Sequence, residues 1–394
     1  MVETLPQITQ DPVDIGFVQD PYAAYDQWRK LGPLVHWQEY NMPCAVSYAA
    51  ANAILRDRRF GRVPLAPITR PDHLTPFYDI EAHSMLELEP PRHTRLRNLV
   101  LRAFTSRRIN ALAPDIDALC TDLLAKLPED GPFDLIASYA QPLPVIIIAR
   151  LLGVPDSMAP DLLRWSHAMV GMYQAGRTRA DEDRAVTASR DFVAFLRSHI
   201  DRRRNDPQDD LITHLIAAED DGQTLSTDEM ISTCILLLNA GHEASVHSLG
   251  NAVKTLIETG HYATTPVTDA LVEECLRFDP PLHLFARWAY DDIEVMGRTI
   301  PKGTQIACLL GAANRCPRHW DAPEEFHPTR LPKPHLGFGA GLHFCLGAPL
   351  ARLELRLALQ ALIRARPCLT LTEQARYADI YHFHGLSRLM VAQA

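Results

Sequence analysis

The middle of the chain, from about residue 93 to 280, carries its apolar residues at helical spacing and predicts helices almost throughout. Within it, the segment PLPVIIIARLLGVP is apolar on nearly every side, so we expect a fully buried helix there. Residues 226–260 open with a Ser-x-x-Glu capping box and predict one unbroken helix of about 33 residues. A last long helix is predicted over 347–366. This pattern is typical of a mostly α-helical protein.

Both ends of the chain mix strands with helices. Asp20 is expected to cap a short helix, and residues 34–40 and 44–48 predict paired strands. Strand patterns return after residue 281. Residues 66–90 show no clean period and predict a long loop, which in a compact domain is often a functional lid. The fold class predicted is mostly α, with a smaller β-rich part built from both ends of the chain.

Composition and charge narrow the class of protein. The 394 residues have a net charge of −9 and no basic tract, which argues against non-specific nucleic-acid binding. The longest apolar run is too short for a membrane span, and the N-terminus has no signal-peptide pattern. Eight dispersed cysteines without a Cys-x-x-Cys pair give neither a zinc ribbon nor a disulfide framework. We therefore expect a cytoplasmic, monomeric protein with one domain over residues 1–394 and no nucleic-acid or membrane partner.

The most informative stretch is FGAGLHFCLGAPLARLE, in which three glycines surround Cys345. The predicted last helix starts just after this cysteine, so unbonded N–H groups and the positive end of the helix dipole face the sulfur and favour the thiolate. Gly339 and Gly341 allow a tight turn, and Gly347 allows close approach of a flat partner. The arrangement suits a thiolate that binds a metal against a broad planar cofactor.

Two simpler roles for Cys345 remain open from the residues alone. A single cysteine is most often a small buried hydrophobic residue. It could also be a nucleophile, although His343, two residues before it, seldom has the geometry of an activating base. The glycines favour the metal ligand, beside which His343 can donate a hydrogen bond or a positive charge to an anionic group.

The stretch resembles the cysteine-ligand loop of the cytochrome P-450 (haem-thiolate monooxygenase) family, FGxGxHxCxGxxLA, at every specified position. The resemblance covers roughly residues 20–390. It implies the α-rich, triangular haem-thiolate fold, with haem b between the long central helix and the cysteine loop. Cys345 would be the axial thiolate of the iron, and Phe338 and Gly347 would adjoin the cofactor.

Further signatures of the family occur in the expected order. The segment EECLR places Glu274 and Arg277 on one helix face, and in the family this pair joins a later arginine, here Arg330, to brace the cysteine loop. A solvated helix ion pair is the alternative.

The resemblance also implies residues that hold the haem propionates. His93 and Arg97 lie four residues apart on one predicted helix, and they would be joined by Arg287 and His343. Arginine suits this role because its planar fork matches a carboxylate. Each residue alone would more often be a surface charge.

The long central helix carries small residues at helical spacing, which would leave room for O₂ and substrate or would simply allow close helix packing. The stripe consists of Leu237, Ala240, Gly241, Ala244 and Ser248. By resemblance, AGHEAS occupies the place of the family's oxygen-binding segment AGx(D/E)T, so Ala240, Gly241 and Ala244 would adjoin the haem.

The chain departs from that segment at one position. Glu243 stands in the acid position, but Ala244 replaces the usual threonine, and the nearest hydroxyl, Ser245, lies about 100° further round a regular helix. A local π-bulge could rotate Ser245 inward, or water and Glu243 could carry the protons. We expect Glu243 to be the main catalytic proton carrier and Ser245 a secondary aid.

The resemblance implies insertion of one oxygen atom from O₂ into a small or medium apolar substrate, by hydroxylation, dealkylation or epoxidation. The electrons would come from NAD(P)H through a ferredoxin reductase and a ferredoxin. A basic patch for the ferredoxin is expected from the arginines of 92–108 with Arg315, Arg318 and Lys333. Substrate contacts are expected from residues 66–90 and 164–178, the small-residue stripe of the central helix, and residues 282–285 and 381–385. Core packing is the alternative for Leu284 and Phe285. His283 and His382 indicate a polar group on the substrate, with a structural role as the alternative.

Two alternatives to this function remain open. The missing threonine could mark a peroxide-driven peroxygenase, although the retained Glu243 argues mildly against it. A non-catalytic haem-thiolate protein that senses a gas or transfers electrons would need a sixth protein ligand or a blocked distal side. The small-residue stripe argues against both requirements.

Overall fold

The computed structural model describes residues 5–173 and 177–393, and these form fifteen α-helices and thirteen strands. The helices are α1 Ile15–Gln19, α2 Tyr22–Leu31, α3 Tyr48–Arg56, α4 Thr75–Glu81, α5 Arg92–Ala103, α6 Ser106–Ala111, α7 Ala113–Leu124, α8 Pro142–Leu151, α9 Ala159–Val170, α10 Arg179–Asn205, α11 Leu211–Ala217, α12 Thr227–Glu258, α13 Asp269–Phe278, α14 Leu310–Asn314 and α15 Ala348–Ala365. The strands are β1 Gln7–Ile8, β2 Leu34–Trp37, β3 Met42–Ala45, β4 Phe60–Gly61, β5 Phe133–Asp134, β6 Leu284–Ala289, β7 Ile293–Val295, β8 Arg298–Ile300, β9 Gln305–Leu309, β10 Leu369–Leu371, β11 Arg376–Tyr377, β12 Leu386–Arg388 and β13 Met390–Gln393.

The chain divides into two compact units, neither of which is continuous in sequence. The first unit comprises Met1–Leu65, Ala113–Gln141 and Ala244–Ala394 in their described parts. It holds all thirteen strands, α13, α14 and α15. The second unit comprises Ala66–Leu112 and Pro142–Glu243, and its described elements are helical. Helix α12 runs from the second unit into the first.

The largest sheet of the first unit is built from both ends of the chain, as the sequence predicts. Its strand order is β1-β2-β3-β9-β6-β4, with β3 parallel to β9 and β6 antiparallel to β9. Alternate residues of β9 enter different cores: Ile306 and Cys308 pack with α3, whereas Ala307 and Leu309 pack with the aromatic residues of α1 and α2. The sheet is therefore covered on both faces, which explains why its strands are apolar almost throughout.

The long helices are confirmed. Helix α12 contains 32 residues and begins with the predicted capping box, in which the Glu229 amide donates to Ser226 Oγ and the Ser226 amide donates to Glu229 Oε2. Helix α8 is buried along most of its length, and α15 contains 18 residues.

Two predictions of local structure are wrong. Residues 66–90 are not a plain loop, because they contain α4 and short 3₁₀ turns whose apolar side chains, such as Phe77 and Ile80, are buried. The residue that caps α2 is Pro21 rather than Asp20, whose carboxylate accepts a hydrogen bond from the Tyr22 amide instead. Among the described helices, none combines the length and the apolar character that crossing a membrane requires.

Candidate functional site

The cysteine loop of the first unit folds back on itself before α15 begins. The Gly339 amide donates to the Leu336 carbonyl at 2.8 Å, and the Cys345 amide donates to the Phe338 carbonyl at 3.0 Å. Residues Gly341–His343 form a 3₁₀ turn between these two bonds. The Cys345 thiol is thereby held at the start of α15, whose N-cap is Gly347.

Two of the three glycines are required by the turn itself. Gly339 and Gly341 have φ of +69° and +71°, a region that is costly for other residues. A Cβ on Gly341 would lie 2.1 Å from the Leu55 carbonyl oxygen at the end of α3, and one on Gly339 would lie 3.1 Å from the Phe285 ring of β6. The loop is therefore pressed against α3 and β6.

Gly347 is a different case. Its φ is −78°, and a Cβ there would meet only the Cys345 sulfur, at 3.9 Å. Neither the backbone conformation nor the described protein atoms therefore require glycine at this position. The role expected from the sequence, which is to leave room for a group bound at the sulfur, would account for glycine at this position.

The donor chemistry of Cys345 sets it apart from the other thiols. Cys44, Cys120, Cys234, Cys275 and Cys308 are buried, and burial raises the pKa of each thiol above its ordinary value. Without a metal these five thiols are therefore protonated at neutral pH. Cys345 is partly exposed at a helix N-terminus, where the backbone N–H groups favour an anion. The loop therefore fits a haem-thiolate ligand.

The predicted brace is confirmed, and it is buried rather than solvated. Arg277 donates to both oxygens of Glu274, at 2.7 and 2.8 Å, and Arg330 donates to Glu274 Oε1 at 3.1 Å. Arg277 also donates to the Asn314 carbonyl at 3.0 Å. The Asn314 side chain in turn accepts from the Leu336 amide at 2.7 Å, which joins the brace to the cysteine loop.

A second ion-pair group next to the loop is not predicted by the sequence. Arg352 of α15 donates to Glu273 Oε2 at 2.9 Å, and its guanidinium lies 4.6 Å from the centre of the Phe338 ring. His335 Nε2 lies 3.3 Å from the same Glu273 oxygen. Burial raises the pKa of Glu273, but the bonds to His335 and Arg352 outweigh it and lower the pKa to about 2. The position of Glu273 next to Glu274 is the one signal of this group in the sequence.

The expected propionate residues lie in both units. In the first unit, Arg287 is buried in β6 and donates to the Ala286 carbonyl, and His343 lies in the 3₁₀ turn of the cysteine loop. In the second unit, His93 and Arg97 share one face of α5, and His93 is buried. A buried guanidinium is stable where acceptors or an anion face it, which suits a cofactor that carries carboxylates.

The part of the small-residue stripe of α12 that lies in the second unit includes Gly241, which has a packing role. Gly241 allows close helix packing, because a Cβ there would lie 2.9 Å from Ile148 Cδ1 of α8. The expected role of Gly241 beside the cofactor is thus joined by a packing role. Ala240 is exposed although it lies in the middle of a 32-residue helix, and Leu238 and His242 on the other side are buried.

Glu243 lies beside two histidines. Its Oε1 is 3.1 Å from His167 Nε2 of α9 and 3.8 Å from His242 Nδ1. The His167 side chain is 43% exposed, whereas that of Glu243 is 18% exposed. His167 therefore connects the acid to solvent, a contact that the sequence does not reveal because α9 and α12 are far apart in the chain.

Ser245 is directed elsewhere, and its expected role is not supported. Helix α12 is regular through this segment, so no π-bulge rotates the residue. In the first unit the Ser245 hydroxyl hydrogen-bonds to Glu354 of α15, a carboxyl that is only 5% exposed. Burial raises the pKa of Glu354 to about 8, although the Ser245 bond lowers it somewhat. Glu354 is therefore largely protonated at neutral pH.

Expectations for the substrate and ferredoxin contacts also need correction, and of the expected substrate contacts residues 174–176 lie outside the described part of the chain. His283 is buried and bonds through Nδ1 to the Tyr25 hydroxyl at 2.8 Å, and Leu284 belongs to the aromatic core, so both have structural roles. Arg315 lies 3.5 Å from the centre of the Tyr22 ring and 3.7 Å from that of Phe278, so it does not belong to an exposed basic patch.

Comparisons with known proteins agree with the geometry. The family model "Cytochrome P450" matches residues 254–370. The chain is 34% identical to the biotin biosynthesis cytochrome P450 of Bacillus subtilis, over 95% of this chain and 96% of that protein. It is also 34% identical to the 6-deoxyerythronolide B hydroxylase of Saccharopolyspora erythraea, over 93% of each.

A solved structure, P450BioI in complex with hexadec-9Z-enoic acid ligated acyl carrier protein, has a TM-score of 0.89 at 33% identity and covers 96% of this chain and 99% of its own. Similarity of this level over nearly the whole length extends well beyond the cysteine loop. The chain therefore belongs to the cytochrome P450 family, and it is a haem-thiolate monooxygenase whose haem iron is held by a cysteine.

Proposed function

We propose that this protein inserts one oxygen atom from O₂ into a small or medium apolar substrate, with electrons from a ferredoxin and with Cys345 as the ligand of the iron. The observation that carries the proposal is the cysteine loop, which presents Cys345 at the start of α15 and is joined to the buried Glu274–Arg277 brace. Hydroxylation is the simplest reaction, and dealkylation or epoxidation would need the same oxidant.

The chain's own residues hold the cofactor and deliver protons. Haem b, when bound, supplies the chemistry that activates oxygen. His93, Arg97, Arg287 and His343 would hold its propionates as cationic hydrogen-bond donors. Phe338, Gly347, Ala240, Gly241 and Ala244 would adjoin it, as expected from the sequence.

Proton delivery is assigned to Glu243 alone. Its contact with the half-exposed His167 gives it access to protons from solvent. Ser245 takes no part in this proposal because its hydroxyl faces Glu354.

The test has two stages. A panel of terpenoid, aromatic-acid and fatty-acid ligands is first screened for a shift of the haem Soret band. The best ligand is then turned over with ferredoxin, reductase and ¹⁸O₂, and the product is expected to contain one ¹⁸O atom. Glu243→Gln should consume NAD(P)H with much less product. Product without ¹⁸O contradicts the reaction, and full coupling in the variant contradicts the role of Glu243.

A peroxide-driven reaction is the second candidate, and one observation favours it. Ala244 occupies the threonine position, and the neighbouring hydroxyl of Ser245 is bonded to Glu354. Turnover with hydrogen peroxide in place of ferredoxin and NAD(P)H separates the candidates. Product formed only with peroxide would establish the second.

The proposed ferredoxin-binding surface includes fewer of the arginines than the sequence predicts. Arg95 and Arg102 already form ion pairs with Glu229 and Asp220 of the second unit. Arg107 is exposed and keeps the proposed role. Arg107→Glu should weaken the salt dependence of reduction by ferredoxin, whereas the same change at Arg190, another exposed arginine of the second unit, should not. An equal change in salt dependence in the two variants would show that Arg107 does not belong to the ferredoxin-binding surface.

A further inference from the structure

Three potential metal ligands of the second unit converge on the carboxylate of α12. His167 Nε2 and His242 Nδ1 lie 3.1 and 3.8 Å from Glu243 Oε1. All three donor atoms lie within 4.8 Å of one another. In a tetrahedral zinc site, bonds of about 2.0–2.1 Å separate neighbouring ligand atoms by roughly 3.3 Å. The two distances to Glu243 lie on either side of this value, and the two histidine nitrogens lie within 4.8 Å of each other, so rotation of the imidazole side chains would complete the geometry.

The donor types are those that zinc takes. Two imidazole nitrogens and one carboxylate oxygen form a common zinc ligand set, which leaves a fourth position for water. Asn239 lies three and four residues before His242 and Glu243, and therefore on the same side of α12. Its amide nitrogen contacts Met169 of α9, and its buried Oδ1 has no hydrogen-bond partner among the described residues. This oxygen is therefore a buried acceptor without a partner on the side of α12 that carries two of the ligands.

The three ligands differ in exposure in a way that gives an ion access. The His242 side chain is 2% exposed and fixed within the helix packing, whereas the His167 side chain is 43% exposed. An ion can therefore arrive from solvent at His167 and settle against Glu243.

A second group of potential ligands consists of Asp279, His283 and His384. It is completely buried, and its carboxylate already accepts hydrogen bonds from the hydroxyls of Tyr22 and Tyr377. It is therefore a weaker candidate for a metal site.

We propose that His167, His242 and Glu243 form a binding site for a divalent transition-metal ion such as Zn²⁺. Bound zinc neutralises the carboxylate, occupies the oxygen that would carry a proton, and ties up the His167 nitrogen that connects it to solvent. Zinc then inhibits oxygen activation by blocking proton delivery, a consequence that rests on the proposed role of Glu243.

Binding is tested on the untagged haem-loaded protein by calorimetry and by metal analysis after equilibrium dialysis against ZnCl₂. The wild type should bind one equivalent more than His167→Ala, or bind it at least about tenfold more tightly. The matched control is His327→Ala, because His327 is 46% exposed and lies 3.0 Å from Glu325, but no third ligand is grouped with that pair among the described residues. Any zinc bound by the buried Asp279–His283–His384 cluster is bound by all three proteins, so it does not affect the difference in zinc binding between them. Equal zinc binding by the three overturns the site.

Turnover separates the site from its effect. Each protein is compared with its own zinc-free value, because loss of His167 removes the contact that connects Glu243 to solvent and should itself lower the product formed per NAD(P)H. Saturating zinc should lower that yield severalfold in the wild type and in His327→Ala, but should cause no further fall in His167→Ala. If His167→Ala loses the extra zinc equivalent, the metal site is established. If zinc nevertheless leaves turnover of the wild type unaffected, the proposed inhibition is refuted. In that case the role of Glu243 in proton delivery is wrong as well, which Glu243→Gln without zinc checks independently.

Discussion

The buried carboxyl of Glu354 makes a pH-dependent contribution to stability that one substitution should remove. The side chain is 5% exposed, its Oε1 has no hydrogen-bond partner among the described residues, and burial raises its pKa to about 8. Between pH 4.5 and 8 the folded protein therefore holds a proton that the unfolded chain releases. Stability from this group is complete below pH 4.5 and is lost as the pH rises towards 8.

The magnitude follows from the interval between the two pKa values. At about 1.4 kcal/mol per pH unit, the interval from 4.5 to about 8 corresponds to about 5 kcal/mol. Glutamine has the same shape and never ionises, so Glu354→Gln lacks this loss. The free energy of unfolding of the variant, relative to the wild type, should rise by roughly 2–4 kcal/mol between about pH 5 and 7.5.

Urea unfolding of both proteins at half-unit pH steps measures the difference, with midpoints compared at equal m-values. Ser245→Ala supplies an internal check. The hydroxyl favours the ionised carboxyl, so its removal should raise the pKa of Glu354 further and extend the loss of stability to higher pH. Parallel pH profiles of the wild type and Glu354→Gln would refute the reasoning.

The remaining predictions concern the cysteine loop and its supports. Gly341→Ala should lower the free energy of unfolding by at least about 2 kcal/mol, because φ is +71° and the added Cβ meets the Leu55 carbonyl oxygen. Its melting temperature and haem content should both fall. Gly347→Ala is the control, because φ at this position is ordinary and the stability of the polypeptide should hardly change. Arg277→Met should lower the free energy of unfolding by at least about 2 kcal/mol, because it removes the partner that binds both oxygens of the buried Glu274 and leaves Arg330 as the cation bonded to it. An unchanged midpoint of urea unfolding would contradict the brace. Glu273→Gln should lower the free energy of unfolding by about 1–2 kcal/mol at pH 7, a value reduced because Glu273 is partly exposed. The difference in unfolding free energy between wild type and variant should vanish as the pH falls from 4.5 to 2, because the wild-type carboxylate is then protonated. A difference that stays constant with pH would exclude the lowered pKa.

Features that depend on local sequence were predictable. The Ser226 capping box and the apolar period define α12, and the glycines around Cys345 define its loop, because each depends on residues a few positions apart. The Glu274–Arg277–Arg330 brace was predictable only through the family resemblance, since Arg330 lies more than fifty residues from its partner. Short-range physics alone would have favoured a solvated pair.

Contacts between distant segments were not predictable from one sequence. Nothing near Arg315 indicates that its guanidinium stacks on Tyr22, far away in the chain. The same is true of His167, whose contact with Glu243 is visible only once α9 lies against α12. Residues 66–90 lack a clean period because α4 is short and flanked by 3₁₀ turns, so the helical pattern never extends over enough residues to be recognised.

The position of the Ser245 hydroxyl on α12 can be explained by structure alone, without reference to oxygen activation. Residues 244 and 245 differ in direction by about 100°, so a regular helix sends a side chain at 245 towards a different neighbour from one at 244. That neighbour is Glu354, whose carboxyl lies among the buried and otherwise apolar residues of α15, and for such a group a lost hydrogen bond costs about 1–3 kcal/mol. Serine at 245 is therefore favoured by the stability of Glu354. Alanine at 244 is a separate departure, and it removes the usual hydroxyl from the segment in which we propose that Glu243 delivers protons.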